Sequence, residues 1–352
     1  MKRVLKLLVF LYLFVFAIEI IKDSALALAP SITSLLNNGL GPIKAVSAGW
    51  FATSVVQSSG AVDSVAATLV GSDILPLETG VYMLIGASLG TTITAVIISI
   101  ITASKEQKDF RHGFEIGLSY TIYSAILVLL AFTLEYFFAA FSRISFAAAS
   151  FLQPGNVALA VPDVVHSMTA PILTPLRVVV SSDIAALLLG FITLIFALKF
   201  IGSSVIEVFG GEEKTREFIN KHFDSRLKAY LIGVIITAIV FSSSITIGLL
   251  VPLATARVIR LRQAIPFILG ADLGTFTDVL LASLVVGDVS ALALAIASFL
   301  FAFLGALIFL PNVWFLNNLT KKMSKGVLAI SRQRAIYFLL GFVLLPLAVL
   351  LT

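Results

Sequence analysis

The chain of 352 residues is 59% hydrophobic and 12% charged, with a mean hydropathy of +1.08, which is more apolar surface than a soluble domain can keep from water. Its net charge of +5 sits on basic residues in the breaks between apolar segments, a pattern of membrane topology that argues against a nucleic-acid partner. The sequence has no cysteine, so it carries no disulfide or thiolate site; His112, His166 and His222 make no metal motif, and no cofactor is expected.

The first apolar run, about 7–29, follows Lys2, Arg3 and Lys6 and ends in Ala27 and Ala29, as a signal peptide would. Pro30 at the cut and Glu19, Lys22 and Asp23 inside the run break that pattern, so it reads as a retained membrane helix. A serine-bearing segment follows at 42–72, then spanning helices near 79–103 and 112–141. Residues 143–181, with Pro154, Pro162, Pro171 and Pro175, read as a linker at the outer interface. Beyond it come a span near 182–206, a second serine segment at 229–256, and spans near 263–287, 289–317 and 335–352.

The two serine segments repeat one another. A shift of 184 residues lays GWFATSVVQSS (49–59) on GVIITAIVFSS (233–243) and GASLGT (86–91) on GADLGT (270–275). The flanking charges of the two halves are opposite in sign. Asp73 and Glu78 follow the first serine block where Arg257, Arg260 and Arg262 follow the second; one helix later Lys105, Lys108 and Arg111 face only Asp288. Cytoplasmic loops are enriched in Lys and Arg, so the repeats are expected to be inverted.

Each serine segment is too short for two crossings of ~20 residues, and the second is basic at both ends, with Arg226 and Lys228 before it. Both therefore read as re-entrant hairpins of two half-helices, the first entering from outside and the second from inside. The expected fold is an all-α integral membrane protein with inverted repeats at 1–142 and 182–320. The linker joins them, and a cytoplasmic loop with a C-terminal membrane helix follows at 321–352. The N-terminus, the 105–111 and 207–228 loops and the Lys321–Arg334 loop fall in the cytoplasm, leaving Lys44, Arg143 and Arg177 outside.

The hairpin tips present Gln57, Ser58, Ser59 and Gly60 in one half and Phe241, Ser242, Ser243 and Ser244 in the other, brought together near the midplane by inverted symmetry. Half-helix N-termini and serine hydroxyls suit an oxyanion, whereas carbonyls, hydroxyls and the Gln57 amide oxygen suit Na⁺. A site with both faces couples an anion to a cation. The GASLGTTIT and GADLGTFTD blocks are expected to break the start of a spanning helix and to add threonine oxygens; helix packing by small residues is the competing reading.

QSSG with GASLGTT, and FSSS with GADLGT, resemble the paired QSSS and GANIGTT motifs of the type II sodium-phosphate cotransporter family. The resemblance covers about residues 40–105 and 225–290. It implies sodium-coupled uptake of inorganic phosphate across the cell membrane by alternating access. By position, Gln57, Ser58, Ser59, Ser242, Ser243 and Ser244 would bind phosphate, and Gln57, Ser58, Thr91, Thr92, Ser243, Asp272 and Thr275 would be sodium ligands. His166 falls where the family carries an inter-repeat histidine. The oligomeric state stays open, a homodimer included.

This chain departs from the family pattern at four places: Gly60 replaces serine, Phe241 replaces glutamine, Asp272 replaces asparagine, and Asp278 replaces an uncharged residue. Asp272, Asp278 and Asp63 are candidate proton or cation carboxylates, which leaves proton-coupled transport of phosphate or another small anion as the alternative. An intramembrane hydrolase built on Ser58 or Ser243 lacks a base, GxSxG and HExxH. A channel would use the same tips without thermodynamic coupling.

Overall fold

The computed structural model describes residues 2–36, 40–101, 107–152, 161–208, 210–211, 213–214, 217, 223, 225–325 and 332–352. Lys105, Pro154 and His222, and the side chains of Lys2, Arg3, Lys108, Pro162 and His166, lie outside the described residues.

The described elements are helical. The first half contains α1 (Lys2–Leu36), α2 (Pro42–Val56), α3 (Ser59–Gly71), α4 (Leu77–Gly90), α5 (Ile93–Ile101) and α6 (Gln107–Phe138). Between the halves run α7 (Ala140–Leu152) and α8 (Val161–Val179), so the expected linker is itself mostly helix. Pro171 and Pro175 sit inside α8. The second half contains α9 (Asp183–Val208), α10 (Arg226–Val240), α11 (Ser243–Gly248), α12 (Leu250–Thr255), α13 (Leu261–Gly274), α14 (Phe276–Val286) and α15 (Val289–Phe309), followed by α16 (Val313–Lys325) and α17 (Arg332–Leu351).

Among the described residues six stretches are long and apolar enough to cross a membrane: Leu77–Ile100, Phe110–Phe138, Asp183–Ile201, Leu261–Val286, Val289–Phe309 and Arg334–Leu351. The expected 7–29 span is not among them. It lies within the longer α1, where Glu19, Lys22 and Asp23 interrupt the apolar run. The span expected over 289–317 ends at Phe309, because Pro311 has no N–H to give the carbonyl one turn back. The chain restarts as amphipathic α16, which buries Val313, Leu316, Thr320 and Ser324 and exposes Lys321 and Lys322.

Among the described residues two apolar clusters, with a third, minor one around Phe16, Ile20 and Leu173, hold the helices. The larger centres on α6, whose Phe114, Tyr120, Tyr123 and Leu127 are fully buried against α13 and α15. The smaller packs Phe14, Ile18 and Ile21 of α1 on Leu194, Ala197 and Ile201 of α9. One end of that pair is tied by Lys6 to Glu207 at 2.9 Å, the other by Arg177, which binds Asp23 at 2.9 Å and also Asp183. On its other face α9 turns Ile184, Leu188 and Ile192 outward at successive turns, as a lipid-facing helix does.

The 184-residue repeat of the sequence is a repeat of conformation. Gln57 and Phe241 are both left-handed, with φ of 59° and 55°, and so are Asp73 and Arg257, with φ of 56° and 59°. The same close approaches recur. A side-chain carbon at Gly49 would fall 1.9 Å from the Met83 carbonyl oxygen, and at Gly233 2.3 Å from that of Phe267. At Gly86 and Gly270 it would fall 1.9 Å from the oxygen of Val46 and 2.0 Å from that of Tyr230. These glycines let α2 lie backbone to backbone on α4, and α10 on α13. The GASLGT and GADLGT blocks thus do pack helices as well as break them. The break falls inside each span, at Thr91–Thr92 and at Thr275, and not at its start.

Candidate functional site

Each serine motif closes a helix–turn–helix in the same way. The N–H of Gln57 donates to the Thr53 carbonyl, and that of Phe241 to the Thr237 carbonyl, both at 2.7 Å. The left-handed residue then reverses the chain, and Ser58 and Ser242 cap the returning helices by accepting from the amides of Ala61 and Ile245, each at 3.2 Å. The capping hydroxyls satisfy one orphan amide apiece and leave neighbouring N–H groups of the same first turns without intrahelical partners.

The two tips meet. Ser244 Oγ lies 3.1 Å from Thr91 Oγ1, with either atom as donor, and donates to the Gln57 carbonyl at 3.4 Å. Between the tips is a narrow polar gap, without room for a water-sized sphere, lined by both serine motifs, Gly60, Thr91, Thr275 and Asp278. Adjoining it is a wider pocket of about 260 Å³ reached by Gln57, Ser58, Thr94, Ser242, Ser244 and Lys199.

Most residues expected at the site are thereby brought together, and three, Thr92, Asp272 and Asp63, are not. Thr92 lines neither space; its hydroxyl donates to the Leu89 carbonyl at 2.8 Å and accepts from Thr121 at 3.1 Å. Asp272 lies behind the site, where its carboxylate accepts from Tyr120 at 3.0 Å and Tyr123 at 2.8 Å, with no basic partner. Asp63 and Asp278 are buried, at 4% and 1% exposure. Oδ1 of Asp63 and both carboxylate oxygens of Asp278 have no hydrogen-bond partner. Among the described residues no three of His, Cys, Asp and Glu gather as a metal cluster, so any cation here would rest on hydroxyls, carbonyls and isolated carboxylates.

Sequence reasoning missed Lys199, a cation in a spanning helix beside the tips; its isolation in the apolar 182–206 run was the available signal. It also missed Tyr120 and Tyr123, because nothing in a sequence marks which helix faces Asp272. Thr53 and Thr237, related by the repeat, were read as matches of the repeat only, yet both hydroxyls are buried without partners one turn before the tips.

The family described as Na⁺/Pi-cotransporter matches residues 13–161 and 193–349. The human sodium-dependent phosphate transport protein 2B is 35% identical over 131 residues, which is 36% of this chain and 19% of that protein. The sheep sodium-dependent phosphate transport protein 2A is 23% identical over 97% of this chain and 66% of its own length. An uncharacterized Bacillus subtilis protein, YqeW, is 39% identical over 25% of this chain and 28% of its own. The match to the 2B proteins thus spans about a fifth of their length, 19%. No solved structure matches the chain.

Proposed function

Because the chain belongs to the Na⁺/Pi-cotransporter family, we propose that it is a secondary transporter that brings inorganic phosphate into the cell together with sodium. The observation that carries this reading is the meeting of two serine tips around one polar space, joined by the Thr91–Ser244 hydrogen bond. Amide donors at two helix starts suit the anion, and the surrounding oxygens suit the cation.

Phosphate is held by Gln57, Ser58, Ser59, Ser242, Ser243 and Ser244. Sodium is held by Gln57, Ser58, Thr91, Ser243 and Thr275, with Asp272 and Thr92 as outer members that act through their neighbours. The two tyrosines use one lone pair on each Asp272 oxygen and leave the others open.

The halves 1–142 and 182–320 are inverted repeats, their serine segments are re-entrant hairpins, and transport proceeds by alternating access at the tips. The shared local geometry supports the repeat, and the opposite flanking charges support its inversion. The protein resides in the plasma membrane with a cytoplasmic N-terminus, in contact with lipid.

A second reading, proton-coupled transport of phosphate or another small anion, is favoured by the buried carboxylates Asp63, Asp272 and Asp278. Uptake of radiolabelled phosphate into proteoliposomes separates the two. Accumulation driven by an inward Na⁺ gradient is expected; accumulation driven by H⁺ alone would replace the first reading by the second, and none with either would refute both.

A further inference from the structure

The repeat pairs every residue at the tips with a counterpart, and at one place the pairs differ in kind. Gly60 corresponds to Ser244, Asp278 to Thr94 and Asp63 to Ile247 across the 184-residue shift. One set, Ser244, Thr94 and Ile247, thus holds serine with threonine and an isoleucine, while its counterpart, Gly60, Asp278 and Asp63, holds glycine with two aspartates, and each set draws on both halves.

Gly60 and Asp278 fit each other. A side-chain carbon at Gly60 would fall 1.5 Å from Asp278 Oδ2, so the carboxylate occupies the volume that Ser244 fills in the other half. Asp63 lies one helical turn beyond Gly60, and its neighbour Ser64 donates to the Asp278 carbonyl at 3.4 Å. Among the described residues neither carboxylate makes an ion pair, and Asp278 lies near the amides of residues 278 and 279 without reaching hydrogen-bond geometry. The start of α14 offers partial positive charge, which offsets only part of the cost of burying a carboxylate. Two buried carboxylates without an ion-pair partner inside a membrane protein need a cation near them or protons on them.

We propose that Asp278 and Asp63, in the space opened by Gly60, form a sodium subsite between the two halves that has no counterpart across the repeat. It rests on the reading of the tips as a sodium-coupled site and assigns one coupling ion to a place distinct from Asp272. The Asp278 carboxylate, with the hydroxyls of Thr275 and Ser59 lining the same space, and the Asp63 carboxylate one turn beyond Gly60 offer the hard oxygen donors this ion takes. The pairing explains two departures from the family pattern with one contact: the lost serine makes room, and the gained aspartate fills it.

The test measures equilibrium binding of radioactive sodium to the purified protein in lipid nanodiscs. The variants are Asp278→Asn, which keeps the shape, and the double variant Gly60→Ser with Asp278→Thr, which copies the counterpart set. Both are expected to bind one fewer sodium ion per chain than wild type, and the double variant to melt no lower than wild type in choline medium because it buries no unpaired carboxylate there. Unchanged sodium stoichiometry and affinity in a folded Asp278→Asn protein would overturn the subsite and leave protons as the occupants. Sodium-driven phosphate uptake by the wild type, measured in parallel, tests the parent reading separately: its absence refutes phosphate symport and does not restore a lost sodium.

Discussion

Thr91 and Ser244 lie 3.1 Å apart, a hydrogen bond that joins the helix break of the first half to the hairpin tip of the second. Both side chains are buried, at 1% and 7% exposure, so the Thr91 hydroxyl depends on Ser244, which also reaches the Gln57 carbonyl. Thr91→Val and Ser244→Ala are each expected to lower phosphate uptake and to cost about 1 kcal/mol of stability. Combined, they should cost less than the sum of the two, by roughly 0.5–1 kcal/mol. Additive effects in a double-mutant cycle of thermal unfolding would show that the contact carries no coupling.

Gln57→Ala and Ser243→Ala remove polar atoms from the site without touching the capping bonds of Ser58 and Ser242. Both variants are expected to insert and fold but to lose uptake. Rates equal to wild type in both would refute the assigned site.

Lys199 lines the wider pocket together with both hairpin tips. A cation there raises the local concentration of an anion. Lys199→Gln is expected to raise the KM for phosphate several-fold with little change in the maximal rate, more so at low ionic strength. An unchanged KM at low salt would mean that the ammonium serves only to anchor α9 at the membrane surface.

Tyr123→Phe removes the shorter of the two hydrogen bonds to Asp272, 2.8 Å against 3.0 Å from Tyr120. Leaving a buried acceptor short of its donor costs about 1–3 kcal/mol. The expected result is a lower Tm together with a weaker dependence of uptake on sodium. A lower Tm with unchanged sodium dependence would make the tyrosine pair purely structural.

Much of this site could be read from sequence because its devices are local. The serine caps, the glycine approaches and the threonine breaks each depend on residues within a few turns, and the repeat doubled every signal. What escaped was partly a matter of single local contacts and partly set by packing between distant segments. Pro311 ends a span that composition alone would continue, and Glu135 takes amides from Phe141 and Ser142 at 2.8 and 3.3 Å to start α7, which runs on into the expected linker. Gly60 and Asp278 were noticed as separate oddities, since 218 positions of sequence hide that they share one volume.

The glycine contacts also limit how the protein can move. Backbone atoms of α2 and α4 approach where no side chain intervenes, and those of α10 and α13 do the same, so neither first arm can slide along its neighbour without steric collision. In the alternating access proposed above, each arm and its neighbouring helix are therefore expected to travel as one rigid lever. The shorter returning arms, α3 and the interrupted α11–α12, are the parts left to hinge, with their pivots at Gln57 and Phe241.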